Sequence, residues 1–120
     1  MLRRMLSVSR EWRFFLTDMI EFCEQIENYV EGFDYQQFID SSLNYDATVR
    51  KVELLGEAAR NIPEDVRQLA PDIEWPKIIR IRNILIHGYF AVDDEILWDI
   101  VSNRIGPLLA SLRQLEHRLR

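Results

Sequence analysis

The chain is poor in several residue types, and each shortage excludes a class of protein. Cysteine occurs once, at Cys23, so no disulfide can form within the chain, and we expect a small buried hydrophobic side chain rather than a reactive thiol. Basic residues are outnumbered, with 15 Lys and Arg against 20 Asp and Glu and a net charge of −5. This balance excludes a large basic surface, so any nucleic acid must bind at a local basic pocket.

Long apolar runs are also missing. No run approaches the length of a membrane span, and the basic start, Met1 to Ser7, is not followed by the apolar region of a secretory signal. Met5 is an alternative start. We therefore expect a reduced, cytoplasmic protein with no membrane segment.

The residues that are present predict one all-α domain covering residues 1–120. Hydrophobic residues make up 48% of the chain and charged residues 29%, a balance typical of a soluble globular domain that can bury a core. Apolar residues recur at spacings of three and four, which predicts amphipathic helices. The expected fold is an up-and-down bundle of four long helices plus one or two short ones.

Glycine, proline and capping residues mark the expected helix ends. The predicted elements, in order, are a helix from Ser9 to Gly32, a short helical segment from Asp34 to Asp40, a second long helix from about Leu43 to Arg60, a short helix that begins at Pro63 and stops at Pro71, a third long helix that begins at Trp75-Pro76 and ends at Gly88, and a last helix that begins near Asp93.

The last helix carries a proline in its interior. Pro107 removes a backbone hydrogen bond and clashes with the preceding turn, so we expect a kink at Gly106-Pro107. The apolar side of this helix is predicted from residues that are large and hydrophobic: Ile96, Leu97, Ile100, Val101, Ile105, Leu108, Leu112, Leu115 and Leu119.

A polar cluster interrupts the apolar third long helix. Arg82, Asn83, His87 and Tyr89 lie within eight positions, and His87 is one of only two histidines. A histidine can act as general base or acid on the ribose 2′-hydroxyl and the leaving oxygen, while an arginine stabilises charge developing on phosphorus. Asn83 could orient the imidazole or bind a phosphate oxygen, and Tyr89 could stack a base or donate to phosphate.

Arg82 and His87 do not face the same way on a straight helix, since five positions correspond to about 140° around the axis. Three arrangements would bring them together. The helix could unwind at Gly88, the long arginine could reach around, or two copies could face each other across a two-fold axis. The third arrangement also concentrates positive charge, with Lys77 and Arg80 as candidate substrate-binding residues.

Spacing alone also permits plainer interpretations. His87 would then be a partly buried residue at a helix C-terminus, where the helix dipole favours an imidazolium. The stripe formed by Arg50, Glu53, Glu57 and Arg60 would be a solvated face with weak ion pairs. The sequence shows no zinc-ligand spacing, and a helix N-terminus explains Asp93-Asp94-Glu95 more simply than a metal site does, so we expect no metal and no cofactor.

The polar cluster resembles a known motif. Arg82-Asn83-x-x-x-His87-x-Tyr89 is similar to the R-x4-H-x-Y motif of HEPN-domain proteins, specifically the HepT-like toxins. The likeness covers almost the whole chain, and it includes three further segments: Leu16-Thr17-Asp18-Met19-Ile20, the Gly56-Glu57-Ala58 segment, and Trp75-Pro76 directly before the motif.

The resemblance implies the toxin of a toxin–antitoxin pair with a HEPN-like bundle. The protein would form a homodimer, possibly a higher oligomer, and would be a metal-independent endoribonuclease with Arg82 and His87 as catalytic residues. Asn83 and Glu57 would support them, Glu57 by orienting Arg82. Its partner would be a nucleotidyltransferase antitoxin of the MNT type that transfers AMP from ATP onto Tyr89. Such a group adds bulk and negative charge where an RNA phosphate must bind.

Two other function classes stay open at this point. The same motif could form a phosphate-binding pocket in a non-catalytic HEPN subunit that presents a nucleotide or substrate to a nucleotidyltransferase. The chain could also be a purely structural dimeric bundle. Catalysis requires His87 close to Arg82, whereas a binding module requires mainly the charge of the arginine.

Overall fold

The computed structural model describes residues 11–88 and 93–120, and all regular structure in these ranges is helical. The elements, in chain order, are α1 (Trp12–Val30), α2 (Tyr35–Asp40), α3 (Ser42–Arg60), α4 (Glu64–Arg67), α5 (Trp75–His87), α6 (Asp94–Asp99), a π-helical turn (Ile100–Arg104) and α7 (Ile105–Arg118). The last three run on as one long helix. The described ranges thus hold four long and two short helices, and the prediction of an all-α bundle of four long helices plus one or two short ones is confirmed. Ser9, the predicted start of α1, lies outside the described residues.

The core lies where α1 packs against both α3 and α7. Met19, Cys23 and Ile26 on α1 are fully buried there, at the three–four spacing expected of a helix face. Gly32 follows α1 with φ of 77°, a left-handed conformation that glycine adopts without a steric penalty. None of the helices in the described ranges has the length and apolar character needed to cross a membrane.

Helix α5 packs mainly on α3. Its first residue, Trp75, is buried, and the indole Nε1 donates a hydrogen bond to the carbonyl oxygen of Ala70 at 3.3 Å. Pro76 follows in the first turn, where no intrahelical partner for its nitrogen is lost. At the other end the amide of Gly88 donates to the carbonyl oxygen of Ile84 at 2.7 Å. Both predicted ends of this helix are confirmed, and the helix stays regular through His87.

The last helix contains a turn that the sequence did not predict. The amide of Ile105 donates to the carbonyl oxygen of Ile100, one residue further back than in an α-helix, and this π turn ends three residues before Pro107. Proline cannot donate to the carbonyl four residues earlier, so a widened turn replaces regular α-helical bonding there. The predicted apolar side was wrong at Ile96, which is 61% exposed, and it omitted Leu109, which is buried.

A hydrogen bond joins the N-terminus of α6 to α3. The Tyr45 hydroxyl on α3 donates to Asp94 Oδ1 at 2.6 Å. The side chain of Asp93 accepts hydrogen bonds from the amides of Glu95 and Ile96, as expected for an acidic residue at a helix start. Helix α6 therefore begins at a defined position against α3.

Candidate active site on helix α5

Helix α5 carries the local positive charge that the composition of the chain does not suggest. Asp and Glu make up one residue in six of the chain, yet residues 75–92 contain neither. Lys77, Arg80, Arg82 and His87 all lie on α5. An acidic protein thus has one helix with cationic side chains and no carboxylate of its own to neutralise them, which suits the approach of a phosphate.

The guanidinium of Arg82 is held by two residues. Its Nη2 lies 2.7 Å from Glu57 Oε2 on α3, and its Nη1 donates to Asn83 Oδ1 at 2.9 Å. The Arg82 side chain is only 17% exposed, whereas that of Glu57 is 46% exposed. Its Nε is buried and has no hydrogen-bond partner among the described residues. This arginine is therefore fixed in orientation by two contacts, and its buried Nε–H donor is left unpaired among those residues.

Gly56 allows α3 and α5 to approach at this point. A Cβ atom built on Gly56 would lie 2.2 Å from Arg82 Cβ and 2.9 Å from the carbonyl oxygen of Ile78. Only a residue without a side chain fits between the two helices here. The next residue, Glu57, then reaches the guanidinium of Arg82 across the contact.

His87 lies on a different side of α5. It is exposed in the last turn of the helix, whereas Arg82 points toward α3. Regular helical geometry through His87 separates the two by about 140° around the axis, and within residues 11–88 and 93–120 they share no hydrogen bond. The described part of the chain shows neither an unwound helix between them nor an arginine that reaches around the helix.

The other predicted site residues fall into distinct environments. Asn83 is exposed, and its side chain accepts a hydrogen bond from Arg82. Lys77 pairs with Glu74 one turn earlier, and this hydrogen bond and charge lower the pKa of the Glu74 carboxyl. Arg80 is exposed, with no ion pair or hydrogen bond to any residue of the described ranges. Tyr89 lies outside those ranges.

A cavity of about 500 Å³ opens between α5 and the last helix. Its apolar lining includes Val52, Leu55, Ile78 and Ile105, and charged residues such as Lys77 and Arg104 line it as well. Arg82 and His87 are not among its lining residues. The motif therefore lies beside this groove and not inside it.

Sequence reasoning did not identify what Gly56 does. The Gly56-Glu57-Ala58 segment entered only as part of a resemblance, and no periodic pattern signals a close approach between residues 26 positions apart. The sequence does show that residues 75–92 contain no acidic residue, and this absence points to helix α5 as the candidate site.

Comparison with known proteins places this arrangement in a family. Residues 19–115 match the family model described as "Ribonuclease HepT-like". The chain is 34% identical over 108 residues to "Probable ribonuclease HepT" of Thermococcus cleftensis, which covers 90% of this chain and 98% of that protein. It is 35% identical over 99 residues to "Putative RNase MJ1380" of Methanocaldococcus jannaschii, which covers 82% and 91%.

No solved structure matches the chain significantly. The family model covers most of the chain, including α3 with Gly56 and Glu57 and all of α5. The chain therefore belongs to the HepT-like ribonuclease family.

Proposed function

We propose that this protein is a metal-independent endoribonuclease and the toxin of a toxin–antitoxin pair. One observation carries the proposal. Arg82 is fixed by Glu57 and Asn83 on a carboxylate-free helix that ends in an exposed histidine, His87. Both residues occupy the positions of the motif, in a chain whose relatives are named as ribonucleases.

The proposed reaction uses the RNA's own 2′-hydroxyl. His87 accepts the proton as the 2′-oxygen attacks phosphorus, the bond from phosphorus to the 5′-oxygen breaks, and a protonated histidine donates to the leaving oxygen. The products are a 2′,3′-cyclic phosphate and a 5′-hydroxyl. Arg82 stabilises the negative charge that builds on the phosphoryl oxygens, and its fixed orientation reduces the reorganisation needed at that step.

The active site is proposed to form between two copies of the chain. Within one protomer Arg82 faces α3 and His87 faces solvent, so a cleft on a two-fold axis would pair the arginine of one copy with the histidine of the other. Ile84 and Ile86, next to His87, are 38% and 40% exposed and offer apolar surface for such a contact.

Inhibition is proposed to act at Tyr89, two positions after His87 in the sequence. A nucleotidyltransferase antitoxin of the MNT type would transfer AMP: the tyrosine oxygen bonds to the α-phosphorus of ATP, the bond to the bridging oxygen breaks, and pyrophosphate leaves. The adenylyl group would place a negative phosphate beside the residues that must receive the RNA phosphate.

The direct test is incubation of the purified protein with total RNA in the presence of EDTA. We expect cleavage by wild type and loss of cleavage in His87→Ala and Arg82→Ala. His117→Ala is the matched control, because His117 is the other histidine and lies exposed at the end of α7. Intact RNA with unmodified wild type would reject the nuclease, and equal loss in His117→Ala would indicate a contaminating or structural effect.

The inhibition has a separate test. Intact-mass measurement after mixing with the nucleotidyltransferase and ATP should show steps of one AMP, and Tyr89→Phe should abolish them. Steps that persist in Tyr89→Phe would reject this tyrosine as the acceptor, while an unchanged mass would reject the modification itself.

A second candidate function is a non-catalytic subunit that presents nucleotide or substrate to a nucleotidyltransferase. The separation of Arg82 and His87 in the described protomer favours it, since phosphate binding needs only the arginine. In that case wild type would leave RNA intact, Arg82→Ala would lose nucleotide binding, and His87→Ala would retain it.

A further inference from the structure

The residue that shares the exposed face of α5 with His87 is Arg80. The two are seven positions apart, which on a regular helix is about 20° around the axis and about 10.5 Å along it. Both are exposed, and α5 is regular over this interval. Asn83 is exposed between them, so a polar stripe runs along the outer side of the helix while Arg82 lies on the inner side against α3.

Arg80 is also available in a way that the neighbouring cations are not. Lys77 is paired with Glu74, and Arg82 is paired with Glu57. Many surface arginines elsewhere are likewise held by carboxylates, among them Arg50 by Glu53 and Arg113 by Glu24. Arg80 has no such partner in the described ranges. In a protein of net charge −5, a free guanidinium in line with the motif histidine is positioned to bind an anion.

We infer that Arg80 binds a phosphate of the RNA backbone next to the scissile one, and so sets the path of the strand along α5. The inference rests on the proposed ribonuclease function. Arg82 remains the residue for the scissile group, and Arg80, which lies about 10.5 Å along the helix from His87, is assigned to the neighbouring phosphate. Arg80 is thus a substrate-binding residue for an extended RNA strand.

The test replaces single phosphates by neutral groups. Short RNA oligonucleotides carry a methylphosphonate at each flanking position in turn, and initial cleavage rates at limiting concentration are compared for wild type and Arg80→Ala. The cleavage rate of wild type should fall about three- to tenfold when the methylphosphonate is at one flanking position, because one exposed charge-assisted contact is removed. Arg80→Ala should cleave the unmodified RNA more slowly by the same factor. Its rate should not fall further when the methylphosphonate occupies that position.

Arg118→Ala is the matched control. Arg118 is an exposed arginine near the end of α7 and has no partner in the described ranges. Its replacement changes the net charge by the same amount as Arg80→Ala does. It should behave as wild type at every substituted position. The inference would be overturned if the cleavage rates of wild type and Arg80→Ala depended in the same way on the position of the methylphosphonate. It would also be overturned if Arg80→Ala and Arg118→Ala lost cleavage rate equally.

Binding separates this inference from the nuclease proposal. A fully 2′-O-methylated oligonucleotide cannot react, and its dissociation constant should be raised about three- to tenfold by Arg80→Ala and not by Arg118→Ala. The slope of log affinity against log salt should also fall by about 0.7, the value for one phosphate contact on a single strand. If the oligonucleotide binds this way and RNA is never cleaved, the nuclease fails and the phosphate site stands. If binding is the same in all three proteins, the phosphate site fails.

Discussion

The backbone of Gly56 lies against the side chain of Arg82 so closely that a Cβ atom on Gly56 would be 2.2 Å from Arg82 Cβ. Two consecutive residues of α3 therefore act on the same arginine: Gly56 permits the approach, and Glu57 binds the guanidinium at 2.7 Å. The orientation of the candidate catalytic cation depends on helix packing as well as on its own helix.

Gly56→Ala should destabilise the protein and reduce RNA cleavage together. The added methyl group forces α3 and α5 apart, and overpacking of this kind costs about 1–3 kcal/mol. Thermal unfolding and cleavage rates would measure both effects. Gly106→Ala is the control, because the nearest atom to its added Cβ is Glu27 Oε2 at 3.5 Å, an ordinary contact. Gly106→Ala should increase the free energy of unfolding by about 0.5–1 kcal/mol, because alanine is favoured over glycine inside a helix. A Gly56→Ala protein as stable as wild type would contradict the packing argument.

Glu57→Gln should lower kcat about ten- to a hundredfold, because a neutral amide binds the Arg82 guanidinium more weakly than the carboxylate does and holds its orientation less firmly. The stability should change by less than about 1 kcal/mol, since the Glu57 side chain is nearly half exposed.

The control for that prediction is Glu53→Gln. Glu53 lies on the same helix and also binds an arginine at 2.7 Å, but its partner is the exposed Arg50. It should retain wild-type kcat. A similar loss in both variants would show that Glu57 acts through general charge or stability and not through Arg82.

Mixing two inactive variants should restore activity if the site is shared between protomers. An Arg82→Ala chain and a His87→Ala chain that exchange into a mixed dimer would form one site with both wild-type residues. With equal amounts and free exchange, about a quarter of wild-type activity is expected, because half the dimers are mixed and each has one intact site of two. Cleavage assays before and after exchange would measure it. Activity that stays at background after confirmed exchange would place both residues in one protomer.

Cys23 should be unreactive in the folded protein. Burial, reinforced by the carboxylates of Glu27 and Glu24, raises its pKa from 9.0 to about 12, so the thiol stays protonated at pH 8. A chromogenic disulfide reagent at pH 8 should react only as the protein unfolds, and at once in guanidinium.

The same shift predicts a pH dependence of stability. The folded state keeps the thiol proton more tightly than the unfolded chain, so the contribution of Cys23 is fully present below pH 9 and is lost as pH rises toward 12. Denaturant unfolding should show a steeper alkaline loss for wild type than for Cys23→Ala. Equal slopes would contradict it.

The sequence predicted most helix ends correctly because its glycines and prolines have local effects. Pro76 at the start of α5 and Gly88 at its end act through their own backbone, which a reader of the sequence can evaluate. The angle of about 140° between Arg82 and His87 was also readable from helical periodicity.

The contacts across helices could not be read in the same way. The spacing of the stripe that contains Glu57 favoured a solvated face, and its role toward Arg82 was expected only from the family resemblance. The contact itself depends on the packing of α3 on α5. Lys77 was a candidate for substrate binding because of its charge, and its pairing with Glu74 depends on side-chain geometry that sequence does not fix. The availability of Arg80 became visible only after its neighbours were assigned partners.

The π turn in the last helix has a consequence for insertions and deletions. The four buried residues within it and on either side of it, Leu97, Val101, Ile105 and Leu109, are spaced by four. On a regular helix each such step rotates the side chain by about 40° away from the core, and the wider turn corrects this drift. Deleting exposed Asn103 together with Pro107→Ala would restore a spacing of four, three and four on an unbroken α-helix. The chain could thus become one residue shorter without exposing its core, and natural length variation among its relatives is expected at this turn.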